Sequence, residues 1–83
     1  MANIMKKLKR GIKMDGIIRL TLDEKLKELG MSRYELAKRA GIGYQTLDGY
    51  YKNAIKRYDS DVLLRICLEL DCGISEIIMI QRK

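Results

Sequence analysis

Leu22, Leu26 and Leu29 recur at the three- and four-residue spacing that places side chains along one face of a helix. Thr21-Leu22-Asp23-Glu24 ahead of them has the form of a capping box, and Gly30 after them suits the left-handed residue that ends a helix. The pattern predicts a first helix over about 22–29. The punctuation then repeats. Ser32-Arg33-Tyr34-Glu35 is a second capping box, Leu36, Ala37 and Ala40 share one face, and Gly41 supplies the next stop, so a second helix is predicted over about 33–40. A third helix follows after a break of only about three residues. It begins near Gly43 and runs to about Lys52, with Leu47, Tyr50 and Tyr51 available to face inward.

From Asn53 to Tyr58 no helical periodicity continues, and the stretch reads as a loop. Asp59, Ser60 and Asp61 offer a cap and first-turn acids to a fourth helix ending at Leu70. That helix is apolar almost all round. Leu63, Ile66 and Leu70 are expected in the core, whereas Leu64 and Leu68 fall on another face. Ser75-Glu76 is read as opening a fifth, short helix from Ile77 to about Ile80. Upstream, the β-branched Ile17-Ile18-Arg19-Leu20-Thr21 fits either a short strand or an extended lead-in, and the pattern does not choose between them. Ile4, Leu8 and Ile12 would share a helical face, but Gly11 and the isolation of the segment argue against a stable helix there. The predicted class is all-α: a five-helix domain over 17–83 behind a flexible basic arm over 1–16, with a short N-terminal strand or extended arm as its lead-in.

Eighty-three residues suffice for one small domain and leave no room for a second. With no Trp and no Phe, its core has to come from Leu, Ile, Met and the five tyrosines, a mixture that suits helices. Cys67 and Cys72 lie five apart, in neither a redox pair nor a zinc knuckle, and no histidine exists to complete a metal site. They are read as buried thiols in a reducing compartment. The chain has no apolar run of membrane-spanning length, and its basic start is not followed by the apolar stretch of a signal peptide, so a cytoplasmic protein is expected. Enzymatic chemistry lacks materials: there is no histidine, no glycine-rich phosphate loop and no nucleophile beside a base. No cofactor, metal or small-molecule ligand is expected.

Charge sharpens the picture by region. Lys6, Lys7, Lys9, Arg10 and Lys13 meet no acid within residues 1–13, giving +5. Residues 31–58 hold six bases against Glu35 and Asp48, giving +4, while 14–30 carry −1 and 59–83 carry −2. Positive charge confined to two segments suits a polyanion-facing surface, though a solvated basic face gives the same count.

The stretch MSRYELAKRAGIGYQTLDGYYKN, residues 31–53, combines these signals. Leu36 and Ala37 point inward, Ala37 is small where two helix backbones must pass, Gly41 makes a tight turn over Ile42, and Leu47 anchors the helix beyond. This is the pattern of a helix-turn-helix, whose second helix can enter a major groove. Glu35-Leu36-Ala37, Gly41-Ile42, Thr46-Leu47 and the later run of Leu63, Ile66, Cys67, Leu70 and Cys72 with Ile77-Ile78 resemble the Cro and phage-repressor family of DNA-binding domains, over about residues 20–80.

The resemblance implies sequence-specific binding to a double-stranded DNA operator by a small transcriptional regulator, a repressor; the apolar stripe of Leu64 and Leu68, away from the expected core, points to a homodimer. The resemblance places Arg33 against a phosphate and brings Tyr44, Gln45, Thr46 and Gly49 to base edges, with Gly43, Lys52, Asn53 and Lys56 at phosphates. Gln45 can pair bidentately with adenine, and Thr46 can meet a thymine methyl or a phosphate. Two departures stand out. Gly43 and Gly49 leave bare backbone where relatives carry side chains, and Asp48 brings a negative charge close to DNA unless it points away or pairs with Arg39 or Lys52. Leu64 and Leu68 are read as the dimer interface. The duller readings make Tyr50 and Tyr51 packing residues, Arg33 a decoration at a helix start, and Gln45 and Thr46 ordinary exposed positions. The alternative function is a protein-interaction module of the same fold, an antitoxin-like or inhibitor subunit.

Overall fold

The computed structural model describes residues 15–82. In chain order it comprises β1 (Gly16–Leu20), α1 (Leu22–Leu29), α2 (Arg33–Ala40), α3 (Tyr44–Tyr51), α4 (Ser60–Leu70), a 3-10 turn (Ile74–Glu76) and β2 (Ile78–Arg82). Most of the basic arm expected over 1–16 lies outside the described residues.

The ends predicted for the first two helices recur in the structure, but their capping boxes form only in part. Gly30 and Gly41 close α1 and α2 at φ 66° and 69°, a region a side chain enters only at a cost, and their amides return to carbonyls of the last turn. Ser32 accepts the Glu35 amide at 3.0 Å, so half of the second capping box forms; the Glu35 carboxylate goes to Arg39 instead of back to the cap. The first box, at Thr21, does not form. The Thr21 amide donates to the Ile77 carbonyl at 2.8 Å and the Thr21 hydroxyl donates to the Glu76 carbonyl, while Glu24 turns away to Arg19. A local motif has yielded its groups to a contact more than fifty residues distant.

That contact explains the principal correction to the sequence reading. The domain is not all-α with five helices. The segment read as a last helix from Ile77 to Ile80 leaves the 3-10 turn as a strand, and β2 pairs antiparallel with β1 in the register Gly16 with Arg82, Ile18 with Ile80 and Leu20 with Ile78. Of the two options left open for Ile17–Thr21, the strand is the one observed. Three isoleucines in four residues at 77–80 have the β-branched crowding that a pleated surface accommodates better than a helix. The Glu76 carboxylate steadies the approach. It accepts the Gly73 amide at 2.8 Å and pairs with Lys25 at 3.1 Å, and these two contacts, the amide foremost, hold it below the usual carboxylate range.

One core joins these elements. Leu20, Leu22, Leu26, Leu36, Ala37, Ile42, Leu47, Tyr50, Ile66, Leu70 and Ile77 are buried together. Burying each large aliphatic side chain contributes about 1.5–3 kcal/mol. Leu63, expected with Ile66 and Leu70, is only half-buried against this cluster, and Cys67 and Cys72 are likewise half-buried and free. Tyr50, read as a packing residue, contributes more than its ring: its hydroxyl accepts the Asp59 amide at 2.7 Å, tying the end of α3 to the cap of α4.

Asn53 joins the helical part to the sheet. It sits at φ 57°, a left-handed conformation that asparagine tolerates, just past the end of α3. Its side-chain oxygen accepts the Leu20 amide at 2.7 Å, and its side-chain nitrogen donates to the Leu20 carbonyl at 2.9 Å. Replacing Asn53 with alanine strands both Leu20 groups beside the core and is expected to cost about 1–3 kcal/mol in urea denaturation. Asn53→Gly, which keeps the backbone freedom, should cost less than Asn53→Ala; a loss below about 0.5 kcal/mol for both would show that the clamp is dispensable.

Candidate nucleic-acid interface

The interface is built on α3, which α2 supports from behind. Leu47 and Tyr50 bury one side of α3 in the core, and this leaves Tyr44, Gln45 and Thr46 exposed together at its first turn. Gly43 is the N-cap and has no side chain to satisfy the free amides of that turn. The observed helix, Tyr44–Tyr51, lies within the predicted 43–52 span, with Gly43 and Lys52 as its caps.

Tyr34 was missed by sequence reasoning. It is 67% exposed at the start of α2, and its ring packs 6.4 Å from that of Tyr44 in a tilted pair. The two helix starts therefore present one aromatic edge. The local signal was an aromatic directly after Arg33, but its partner across the turn is visible only in three dimensions.

Gly49 follows Gln45 by one turn, yet its surroundings differ from those expected. A Cβ built there would stand 3.3 Å from the Ile55 side chain, and the Gly49 carbonyl accepts the Ala54 amide. The returning loop covers this position, so its missing side chain permits a close approach. Asn53, assigned to a phosphate from sequence, has its amide engaged with Leu20 as described above.

Three charged groups meet between α2 and the later part of α3. Asp48 accepts from Arg33 Nη1 at 2.6 Å through one oxygen and pairs with Lys52 Nζ at 3.0 Å through the other. The Arg33 guanidinium also lies 4.5 Å over the Tyr51 ring, a cation–π contact. Lys52 and then Arg33 hold the Asp48 carboxyl below its ordinary value, and Asp48 in turn raises Arg33. Of the two partners proposed for Asp48 from sequence, Lys52 is found. Arg39 is engaged instead with Glu35, at 2.7 Å.

Lys52 and Lys56 stand with Arg19, Tyr51, Ile17 and Ile18 around an open groove of about 820 Å³ between β1 and the segment after α3. On α4, Leu64 and Leu68 are 54% and 70% exposed. Among the described residues no cluster of His, Cys, Asp and Glu could hold a metal ion, and no helix is long and apolar enough to cross a membrane. Burial pushes the Cys72 thiol up, away from the thiolate a nucleophile requires.

Two helices joined by a tight glycine turn, with an exposed polar first turn on the second and cations around it, define a helix-turn-helix nucleic-acid-binding domain. Residues 21–83 match the model of the Cro/C1-type HTH DNA-binding domain, and the chain belongs to that family. Its structure is similar to that of the transcriptional regulator VanUg, at 25% identity and a TM-score of 0.69, over 87% of this chain and 95% of that one. It is also similar to SinR, the master regulator for biofilm formation, in a complex with DNA, at 26% identity and a TM-score of 0.59, over 64% of this chain and 84% of that one. The N-terminal DNA-binding domain of SinR from Bacillus subtilis gives the same identity and score over 77% of its length. A search of curated protein sequences gives no match.

Proposed function

We propose that this protein is a sequence-specific DNA-binding repressor that inserts the first turn of α3 into the major groove of its operator. The observation that carries the reading is the joint exposure of Tyr44, Gln45 and Thr46 on a helix whose opposite side is locked into the core. Gln45 has the donor and acceptor pair that matches an adenine edge, and Thr46 suits a thymine methyl or a phosphate. The amides following Gly43, Arg33 at the start of α2, and Lys52 and Lys56 beyond α3 supply the phosphate contacts. The similarity to SinR, whose structure is a complex with DNA, supports DNA as the partner.

Binding should then prefer duplex over single strand and weaken steeply with salt, by a log–log slope of about −0.9 for each phosphate neutralised. Titrating labelled duplex and single-stranded DNA across a salt series tests it. Equal affinity for both strand forms would exclude major-groove reading.

The protein acts as a homodimer in this reading, joined through the exposed Leu64 and Leu68 of α4. Two recognition helices would then reach successive major-groove turns about 34 Å apart. Leu64→Glu is expected to yield a folded monomer in light scattering with weakened operator binding. A dimer that persists in this variant would move the interface elsewhere.

A further inference from the structure

We propose that Asp48 is a specificity determinant of the DNA interface: by bridging Arg33 and Lys52 it withholds positive charge from phosphates met out of register while fixing Arg33 for the phosphate met in register. The inference rests on the DNA-binding reading above and concerns how that surface distinguishes its operator from other DNA.

The geometry is that of a shared carboxylate. Asp48 is the only acid in α3, and each of its oxygens holds a different cation, Arg33 at 2.6 Å and Lys52 at 3.0 Å. Its side chain is 21% exposed against 35% for Arg33 and 61% for Lys52, so the carboxylate lies deeper than the cations it serves. The three groups together present one positive charge where the two bases alone would present two.

DNA bound without sequence preference is held almost entirely by phosphate neutralisation. In such complexes the contacts are loose and interchangeable, and a carboxylate shared between two bases removes about one effective charge with nothing returned. A docked operator complex differs. Base contacts hold the protein in one register, and Arg33, pinned by Asp48 on one edge and by the Tyr51 ring on its face, keeps its remaining N–H donors aimed in one direction. Ordering a long side chain before binding removes part of the entropy cost of the contact, but only for a phosphate in the matching place. The carboxylate therefore weakens the disordered mode and supports the ordered one.

Asp48→Asn keeps the shape and removes the charge. On an arbitrary duplex the variant should bind about fivefold more tightly at 0.15 M salt, with a slope steeper by about 0.9, the effect of one further phosphate neutralised. Affinity for a selected operator should rise by less, so the ratio of operator to arbitrary affinity falls. Lys52→Gln supplies a second arm: it should weaken arbitrary-duplex binding more in the Asp48→Asn background than in the unaltered protein, because the carboxylate no longer masks the ammonium. Tighter binding to both duplexes by the same factor, or weaker binding to both at an unchanged slope, would overturn the proposal, as would additive effects of the two substitutions. Failure of the underlying reading looks different, because the unaltered protein would then favour no duplex sequence at all.

Discussion

Replacing Leu47 with alanine is expected to destabilise the domain by about 2–5 kcal/mol, the range for removing a large aliphatic side chain from a packed core. Leu47 is fully buried, and with Tyr50 it seats α3 against the core, on the side opposite its exposed first turn. Small domains have only about 5–15 kcal/mol of stability in all, so the loss should bring the urea midpoint down by a large fraction. Binding should suffer in proportion, because an unseated α3 presents no fixed surface. Leu47→Met, close in volume, should recover most of the stability and separate packing from any role of the residue in recognition. A Leu47→Ala variant with an unchanged midpoint would mean that α3 is not held as described.

Replacing Gln45 and Thr46 together with alanine is expected to leave stability nearly unchanged and to abolish preference among DNA sequences. Both side chains are exposed, and neither contributes to the core. Each good base contact accounts for about 1–3 kcal/mol of discrimination, so the pair should reduce operator affinity by roughly thirtyfold to twenty-thousandfold. Arbitrary DNA, held through phosphates, should be bound almost as before, with the same salt slope. Thermal melting and parallel titrations on the two duplexes separate these effects. Equal losses on both would assign the two residues to the backbone instead of the bases.

Much of the helical half was legible because its signals are local. A periodic stripe, an acceptor at the cap and a glycine at the stop all lie within a dozen residues, and Ser32 and Gly41 behave as their positions implied. The sheet was not legible in the same way. Ile77–Ile80 following Ser75-Glu76 resembles a short helix when read alone. Its strand identity comes from Ile18 and Leu20, about sixty residues earlier in the chain, which offer the ladder that β2 completes. The Thr21 cap failed for the same reason, since the amide and hydroxyl a capping box needs were taken by carbonyls of the 76–77 turn.

The site divides along similar lines. Exposure of Tyr44, Gln45 and Thr46 follows from helical phase once Leu47 is known to be inward. Gly49, Asn53 and Asp48 depend on what returns to meet them. Ile55 covers Gly49, Leu20 occupies the Asn53 amide, and Asp48 faces Arg33 from the preceding helix, a partner that side-chain spacing along α3 alone does not reveal.

The central claim, reading of a particular DNA sequence by α3, is tested most directly by selection. Purified protein is mixed with a randomised duplex library at about 150 mM salt, where purely electrostatic binding is suppressed, and the bound fraction is sequenced. The expected result is enrichment of a short motif, palindromic if the protein is dimeric, that disappears when Gln45 and Thr46 are replaced with alanine. A bound fraction as random as the input would contradict the claim and favour a fold used to bind another protein.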